Sequence, residues 1–451
     1  MASPITIFRG TSGLNTVDDP ARIPMAKNAI SDVAELVNMR VDSSGRPSKR
    51  VGQTLIASGA FHSLYCDGGD CFVAKDRDTD TAIYQVGNDG TLAGIRSGLT
   101  RGRRIAFKQY GAKTYYANGM QSGIIEDGVS NAWEPGEYHG PTTDRSFSIP
   151  FGITHLEIHS GRIFASTGNV LWWSELFRFD LFDQALSLIQ FHTDIRMIKS
   201  VAGGLYVSTE QNIYFLTGNN PSEFTMVKVS NFPAVEWSES IESVDGGDLG
   251  FDPGLCALWV TPEGAILGLP SGQILNITKP KIIYPENVRT GFGCLMGYNF
   301  IHGAFYLTID TNLKNRASGQ YINFNANSMA KFNKQYWAAG NAGLYLLDSV
   351  DTVNNAYLLT ATMDFGINND KRLRYVYLSL ESTGNLSLII NTEKVSARTY
   401  AVPISGTGQQ DVRIPISREL YGRFWTFKIS GTCDFSIDEI KILPILRNLK
   451  F

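Results

Sequence analysis

Three short stretches collect side chains able to hold a metal or move a proton. His155-Leu156-Glu157-Ile158-His159 puts two imidazoles and a carboxylate at alternate positions, and on a strand alternate side chains share a face. Zinc accepts such donors. The spacing is not the helical His-Glu-x-x-His, where one turn separates the histidines and the glutamate serves as base, so the stretch reads as a solvated strand face. Asp76-Arg77-Asp78-Thr79-Asp80 begins like a calcium loop. Thr81 stands where that loop needs glycine and Gly87 where it needs a bidentate glutamate, which favours a polar hairpin tip and leaves an ion at Asp76, Asp78 and Asp80 open. Cys66 and Cys71 flank a turn without a second pair at matching spacing. With an odd total of five, the cysteines read as reduced, apolar strand residues.

Nucleophilic chemistry has no footing. The chain lacks a Gly-x-Ser-x-Gly elbow, a Walker-type phosphate loop and a Cys/His pairing that the sequence itself places together. Among 43 acidic residues some carboxylates always lie close, so acidity alone does not argue for glycoside cleavage. The expectation is no catalytic residue, no cofactor and no metal. Arg101-Gly102-Arg103-Arg104 is the densest basic cluster and reads as a solvated turn between blades rather than a phosphate-binding patch.

The elements that would carry these residues are strands. From Gly204 to Leu216 the chain alternates Leu205, Val207 and Thr209 against Tyr206 and Ser208, turns at Gln211-Asn212, and resumes an apolar strand at Ile213. Similar strands follow Gly69, Gly111, Gly161, Gly204, Gly254, Gly303 and Gly343, at intervals of 42, 50, 43, 50, 49 and 40 residues. All-β content with that period is the signature of propeller blades. The reading is an all-β protein with a β-propeller of six or seven blades over residues 54–366. Two departures from the repeat are expected: a helical turn or aromatic loop over Trp172 to Gln190, and a Gly/Asp-rich turn over Asp245 to Pro253. Trp172 and Trp173 read as packing residues rather than a sugar platform.

Residues 1–53 read as an N-terminal extended arm and hairpin. Ser3 to Pro24, rich in proline and poor in apolar residues, is expected to pack outside its own domain; a short helix is expected from Ser31, then a hairpin over Val37 to Gly52. After Lys371 the glycine period stops and alternating strands continue, which predicts a C-terminal β-sandwich over residues 371–451, its tail docking on a neighbouring subunit.

Composition sets the outer bounds. At 451 residues the chain exceeds the ~250–300 at which one core stops growing, and a propeller meets this by tiling small cores. A net charge of -3 gives no general attraction for nucleic acid and argues against sequence-specific DNA binding. No apolar run approaches the ~20 residues of a membrane-spanning helix, and none of signal-peptide length follows Met1-Ala2-Ser3-Pro4, so the chain is expected to be made and kept in the cytosol unless an assembly carries it elsewhere.

In their order, Pro-Ala-Arg-Ile-Pro at 20–24, Val-Asn-Met-Arg-Val-Asp-Ser-Ser-Gly-Arg at 37–46 and Lys-Arg-Val-Gly at 49–52 resemble the N-terminal region of tail nozzle, hub or stabilisation proteins of short-tailed bacteriophages. The hairpin from Gly204 to Phe224 resembles that family's mid-propeller hairpin, and 421–431 with 435–440 resemble its C-terminal part. The resemblance implies a structural virion protein without enzymatic activity, located in the tail. It further implies a homo-oligomeric ring of about six copies below the head-to-tail adaptor, carrying fibres or spikes outside and letting genomic DNA leave through the channel without specific binding. The alternatives are a carbohydrate-binding or a glycoside-cleaving propeller. The latter would show repeated Ser-x-Asp-x-Gly-x-Thr-Trp turns, which this chain lacks.

Overall fold

The computed structural model describes residues 3–24, 28–67, 69–140, 145–244, 254–278, 281–283, 293–296, 299–304, 307–312, 315–322, 324, 326–349 and 355–446. Among them the only helical element is one 3-10 turn, Pro221–Glu223. Everything else regular is strand.

The fold is a β-propeller. Six separate four-stranded sheets form its blades: residues 60–99, 106–131, 155–190, 195–230 and 240–276 give the first five, and 326–347 with the strand Gln53–Ser58 gives the last. Gln53–Ser58 pairs antiparallel with Gly343–Leu347, so chain from before the first blade completes the final one and locks the ring. A seventh four-strand meander, residues 293–321, stands between the fifth and last blades, and its first strand contacts both. The glycine repeat therefore counts seven meanders. Five of its glycines stand at or just before the second strand of a blade, whereas Gly303 falls near the end of a second strand and Gly343 opens a third.

Small apolar cores fill the spaces between blades, as alternation dictates: each strand sends one set of side chains to the preceding blade and the other to the next. Phe72 and Ile83 meet Phe107 and Tyr116 between the first and second blades. Tyr115 and Trp133 meet Leu156 and Phe182 between the second and third, and Tyr206 meets Trp259 between the fourth and fifth. Between the strands Val170–Trp173 and Leu188–Gln190 the chain runs as a loop, not a helix. It tucks Phe179 and Phe182 under Trp133 and leaves Leu176, Phe177 and Leu186 exposed.

The remaining strands form two sheets around one apolar core. In the first, Gln409–Pro415, Lys371–Ser382, Phe435–Leu446, Pro47–Lys49 and Met39–Val41 lie in that order, with Ile5–Phe8 added beside Phe435–Leu446. The second continues the meander 293–321 through Ser31–Val37, Ala356–Thr360, Trp425–Gly431, Leu386–Thr392 and Arg398–Val402. Ser31 opens a strand where a helix was expected. Val33, Leu36 and Val37 are buried, and pairing with Ala356–Thr360 satisfies the backbone that a helix would have satisfied internally. Ala356–Thr360 itself lies within the span assigned to the propeller but pairs outside it.

The arm packs on the C-terminal strands of this same chain. Ile5 lies opposite Ile442 and Phe8 opposite Ile440, and both Ile7 and Phe8 are fully buried. Thr11–Leu14 runs parallel to Ser31–Val37, where a Cβ on Gly13 (φ +107°) would collide with the Ser318 backbone. Residues 5–49 thus share their sheets with residues 371–446. The connection near 368–370 is likewise tied: the fully buried Lys371 ammonium donates to the carbonyls of Ile367 (3.0 Å), Asn369 (3.3 Å) and Arg423 (2.7 Å). The turn over 245–253 and the tail over 447–451 lie outside the described residues.

Candidate functional site

Where the innermost strands converge lies an open-mouthed cavity of about 120 Å³, lined among others by Arg104, His155, Lys199, Trp237, Glu239 and Ser328. The third blade shows how the sequence builds it. On His155–His159, Leu156 and Ile158 turn into the core shared with the second blade, so alternation sends His155, Glu157 and His159 the other way. That face was expected to be solvated. Instead His155 is 2% and Glu157 1% exposed, because neighbouring blades cover the face.

Glu157 receives Lys108 from the second blade at 2.5 Å and Lys199 from the fourth at 3.7 Å. Burial alone would raise the carboxyl, but the two ammonium groups outweigh it and hold Glu157 below the ordinary carboxylate range. Glu239 goes the opposite way. Burial pushes it up, Lys199 only partly offsets this, Glu236 and Glu157 add to the rise, and its Oε2 has no hydrogen-bond partner.

His155 stacks on Trp237 with ring centroids 4.5 Å apart. Its Nδ1 lies 3.1 Å from the hydroxyls of Thr154 and Ser166, while Nε2 has no hydrogen bond, the Glu236 carboxylate standing 3.7 Å away. Burial, helped by Lys199, drives the imidazole down to about 3, so it is neutral at physiological pH. Arg104 donates to the Asn327 side chain (3.2 Å) and carbonyl (2.6 Å), and burial lowers it to about 10, against the pull of Glu239 and Glu236. The cavity thus combines two cations, a neutral imidazole and a carboxyl pushed toward its neutral form. Both Glu157 oxygens face lysines, which makes it a charge anchor rather than a nucleophile.

No family model and no curated protein matches the chain. Solved structures do. The extracellular domain assigned to a hybrid two component system of B. thetaiotaomicron shares 12% identity at a TM-score of 0.48, over 89% of this chain and 65% of that one. A second structure of that extracellular domain, there assigned to a one component system, shares 13% at 0.41, over 72% of this chain and 42% of that one. The WD40 domain of Neurospora crassa Pan2 shares 8% at 0.40, over 64% of this chain and 88% of that one. The chain thus spans less than two thirds of the first two.

The other stretches singled out in the sequence do not converge. His159 bonds the Ser200 hydroxyl at 2.9 Å and stays apart from a metal trio. Asp76 accepts from Thr81 and Gly102 and contacts His62, whereas Asp80 accepts from Arg77 and Gly98. Among the described residues no three His, Cys, Asp or Glu side chains are placed to hold a metal ion. Cys66 and Cys71 face each other across their hairpin and are joined as a disulfide, where reduced thiols were expected. Adjacency in the ladder, invisible as spacing alone, brings them together.

Of the basic turn, Arg101 and Arg103 are exposed as expected, but Arg104 turns into the cavity. Sequence reasoning missed Arg104, Lys199, Trp237 and Glu239. A signal exists only for Lys199, a charge inside the apolar strand Ile195–Val201.

Proposed function

We propose that the protein is a structural component of a bacteriophage tail, acting without catalysing a reaction, several copies of which form a ring below the head-to-tail adaptor. The observation that carries this reading is mechanical continuity between the propeller and the two-sheet unit. The meander 293–321 runs on into the second sheet where Val37 meets Gln320, reinforced by Asn38 donating to the Gln320 carbonyl at 2.7 Å. Around that joint Arg40 bonds the Tyr321 hydroxyl (2.6 Å) and Asp348 (3.0 Å), and Arg50 lies over the Tyr321 ring at 4.8 Å. Lys281, just after the fifth blade, pairs with Asp32 at 2.8 Å and donates to the Ser12 carbonyl at 2.6 Å. A wall that keeps a pore open under load needs units that cannot hinge, and interlocked sheets supply this.

The segments that carry the family resemblance lie on both parts: the hairpin of 39–49 and the strands of 425–446 in the two-sheet unit, the hairpin of 204–217 in the fourth blade. In this reading DNA passes between copies rather than along a propeller axis, since Arg104, Lys199 and Glu239 crowd that axis. A mildly acidic chain suits a channel from which DNA must slide free. The reading includes contacts with the adaptor above and with fibres or spikes outside, in the virion tail. Light scattering and electron microscopy of the purified full chain, alone and with its phage's adaptor, test it. A closed ring of about six copies is expected; a monomer that never joins the adaptor overturns it.

A further inference from the structure

We propose that the axial cavity of the propeller is a binding site for a small oxyanion, a carboxylate or phosphate group, gripped by Arg104 and Lys199. This does not depend on the tail reading.

The first support is unbalanced charge. Among the described residues Arg104 has no carboxylate at ion-pair distance; its only hydrogen-bond acceptors are the two neutral oxygens of Asn327. Lys199 reaches Glu157 only at 3.7 Å, and that carboxylate is already held by Lys108 at 2.5 Å. Lys108 and Lys199 therefore share one carboxylate, while Glu239 and Glu236 act on Arg104 only from beyond ion-pair distance. Burial pushes both Glu239 and Glu236 toward the neutral form. Arg104 and Lys199, half-buried in the cavity wall, thus lack a full counter-charge, and an anion in the cavity supplies one.

The second support is independent and concerns unmade hydrogen bonds. His155 Nε2 and Glu239 Oε2 lack partners, and both residues line the cavity. Polar atoms enclosed this way are normally satisfied. His155 donates from Nε2 when Nδ1 accepts from the Thr154 or Ser166 hydroxyl. With the guanidinium and the ammonium this makes three donors around one cavity, the complement of an oxyanion's lone pairs. The stacked Trp237 holds the imidazole in place. The volume of about 120 Å³ admits a single carboxylate or phosphate with accompanying water.

Isothermal titration of the full chain with sodium phosphate and, separately, sodium acetate decides the matter, with sodium chloride at matched ionic strength as the blank. Saturable binding of one anion per chain is expected for phosphate, acetate or both, the stronger of the two naming the class. Arg104→Gln and Lys199→Met should each weaken it tenfold or more, while Arg418→Gln on an exposed turn leaves it unchanged. Nitrogen-15 spectra of the wild type should show the His155 Nε2 resonance moving with saturation. Absence of saturable heat for both anions in the wild type overturns the proposal, even if the variants fail to fold. So does undiminished binding by a folded Arg104→Gln protein.

Discussion

Glu157, on the third blade, lies 2.5 Å from the Lys108 ammonium of the second blade and 3.7 Å from the Lys199 ammonium of the fourth. One carboxylate thus ties three consecutive blades at the axis. Removing one member of a buried ion pair leaves the others uncompensated, which typically costs about 3–5 kcal/mol. Glu157→Gln should lose about that much in urea denaturation at neutral pH. The folded carboxyl titrates below its ordinary 4.5, so its contribution is present above that value and vanishes as pH falls through the lower, folded one. The gap between variant and wild type should therefore close in acid.

His155 predicts a second pH dependence. Its folded value near 3 lies below the ordinary 6.5, so the unfolded chain takes up a proton that the folded one refuses. The stability this represents is full above 6.5 and declines as pH drops toward 3. The slope from one such group is about 1.4 kcal/mol per pH unit. Denaturation of His155→Gln at several pH values between these limits should show a slope shallower than wild type by about that amount.

The central hairpin should respond unequally to loss of its two tyrosines. Tyr206 is fully buried, packs 5.2 Å from Trp259, and donates to the carbonyls of Leu269 (2.7 Å) and Gln273 (2.9 Å). Tyr214 is only half-buried beside Phe191. Tyr206→Ala should cost about 3–5 kcal/mol, as truncating a core aromatic does, and Tyr214→Ala clearly less. Equal midpoint shifts in thermal melts would show that burial does not set the difference.

Deleting residues 1–24 should damage the fold rather than merely detach an arm. The deletion removes Ile7, Phe8, Leu14 and Ile23 from buried positions and strips the strand that covers Ile440 and Ile442. Each such side chain contributes about 1.5–3 kcal/mol of burial. Calorimetry should show a lowered or missing transition for the two-sheet unit, and intact melting would mean the strand adds little. An assembly defect in this truncation would therefore not by itself identify the arm as an adaptor contact.

The sequence by itself determined that the chain is all-β and repeats as blades, because alternation of two and a glycine at hairpin starts are local properties that each blade must satisfy on its own. Its reading of Trp173 as a packing residue holds, the ring being buried with Phe164 against Ile198, Leu205 and Val207 of the fourth blade. Its reading of Ser31 as a helix start failed, and it did not name the surface on which the arm packs, for one reason. Both segments are short, and what makes them strands is a partner more than 300 residues away, Ala356–Thr360 for the one and Phe435–Leu446 for the other. Only the tertiary structure decided the axial cavity. Arg104, Lys199 and Glu239 come from different blades or connectors, and no spacing relates them. Closing the ring brings them together, and the same closure turns a polar strand face at His155 and Glu157 into a buried one by removing the water that a lone strand would keep.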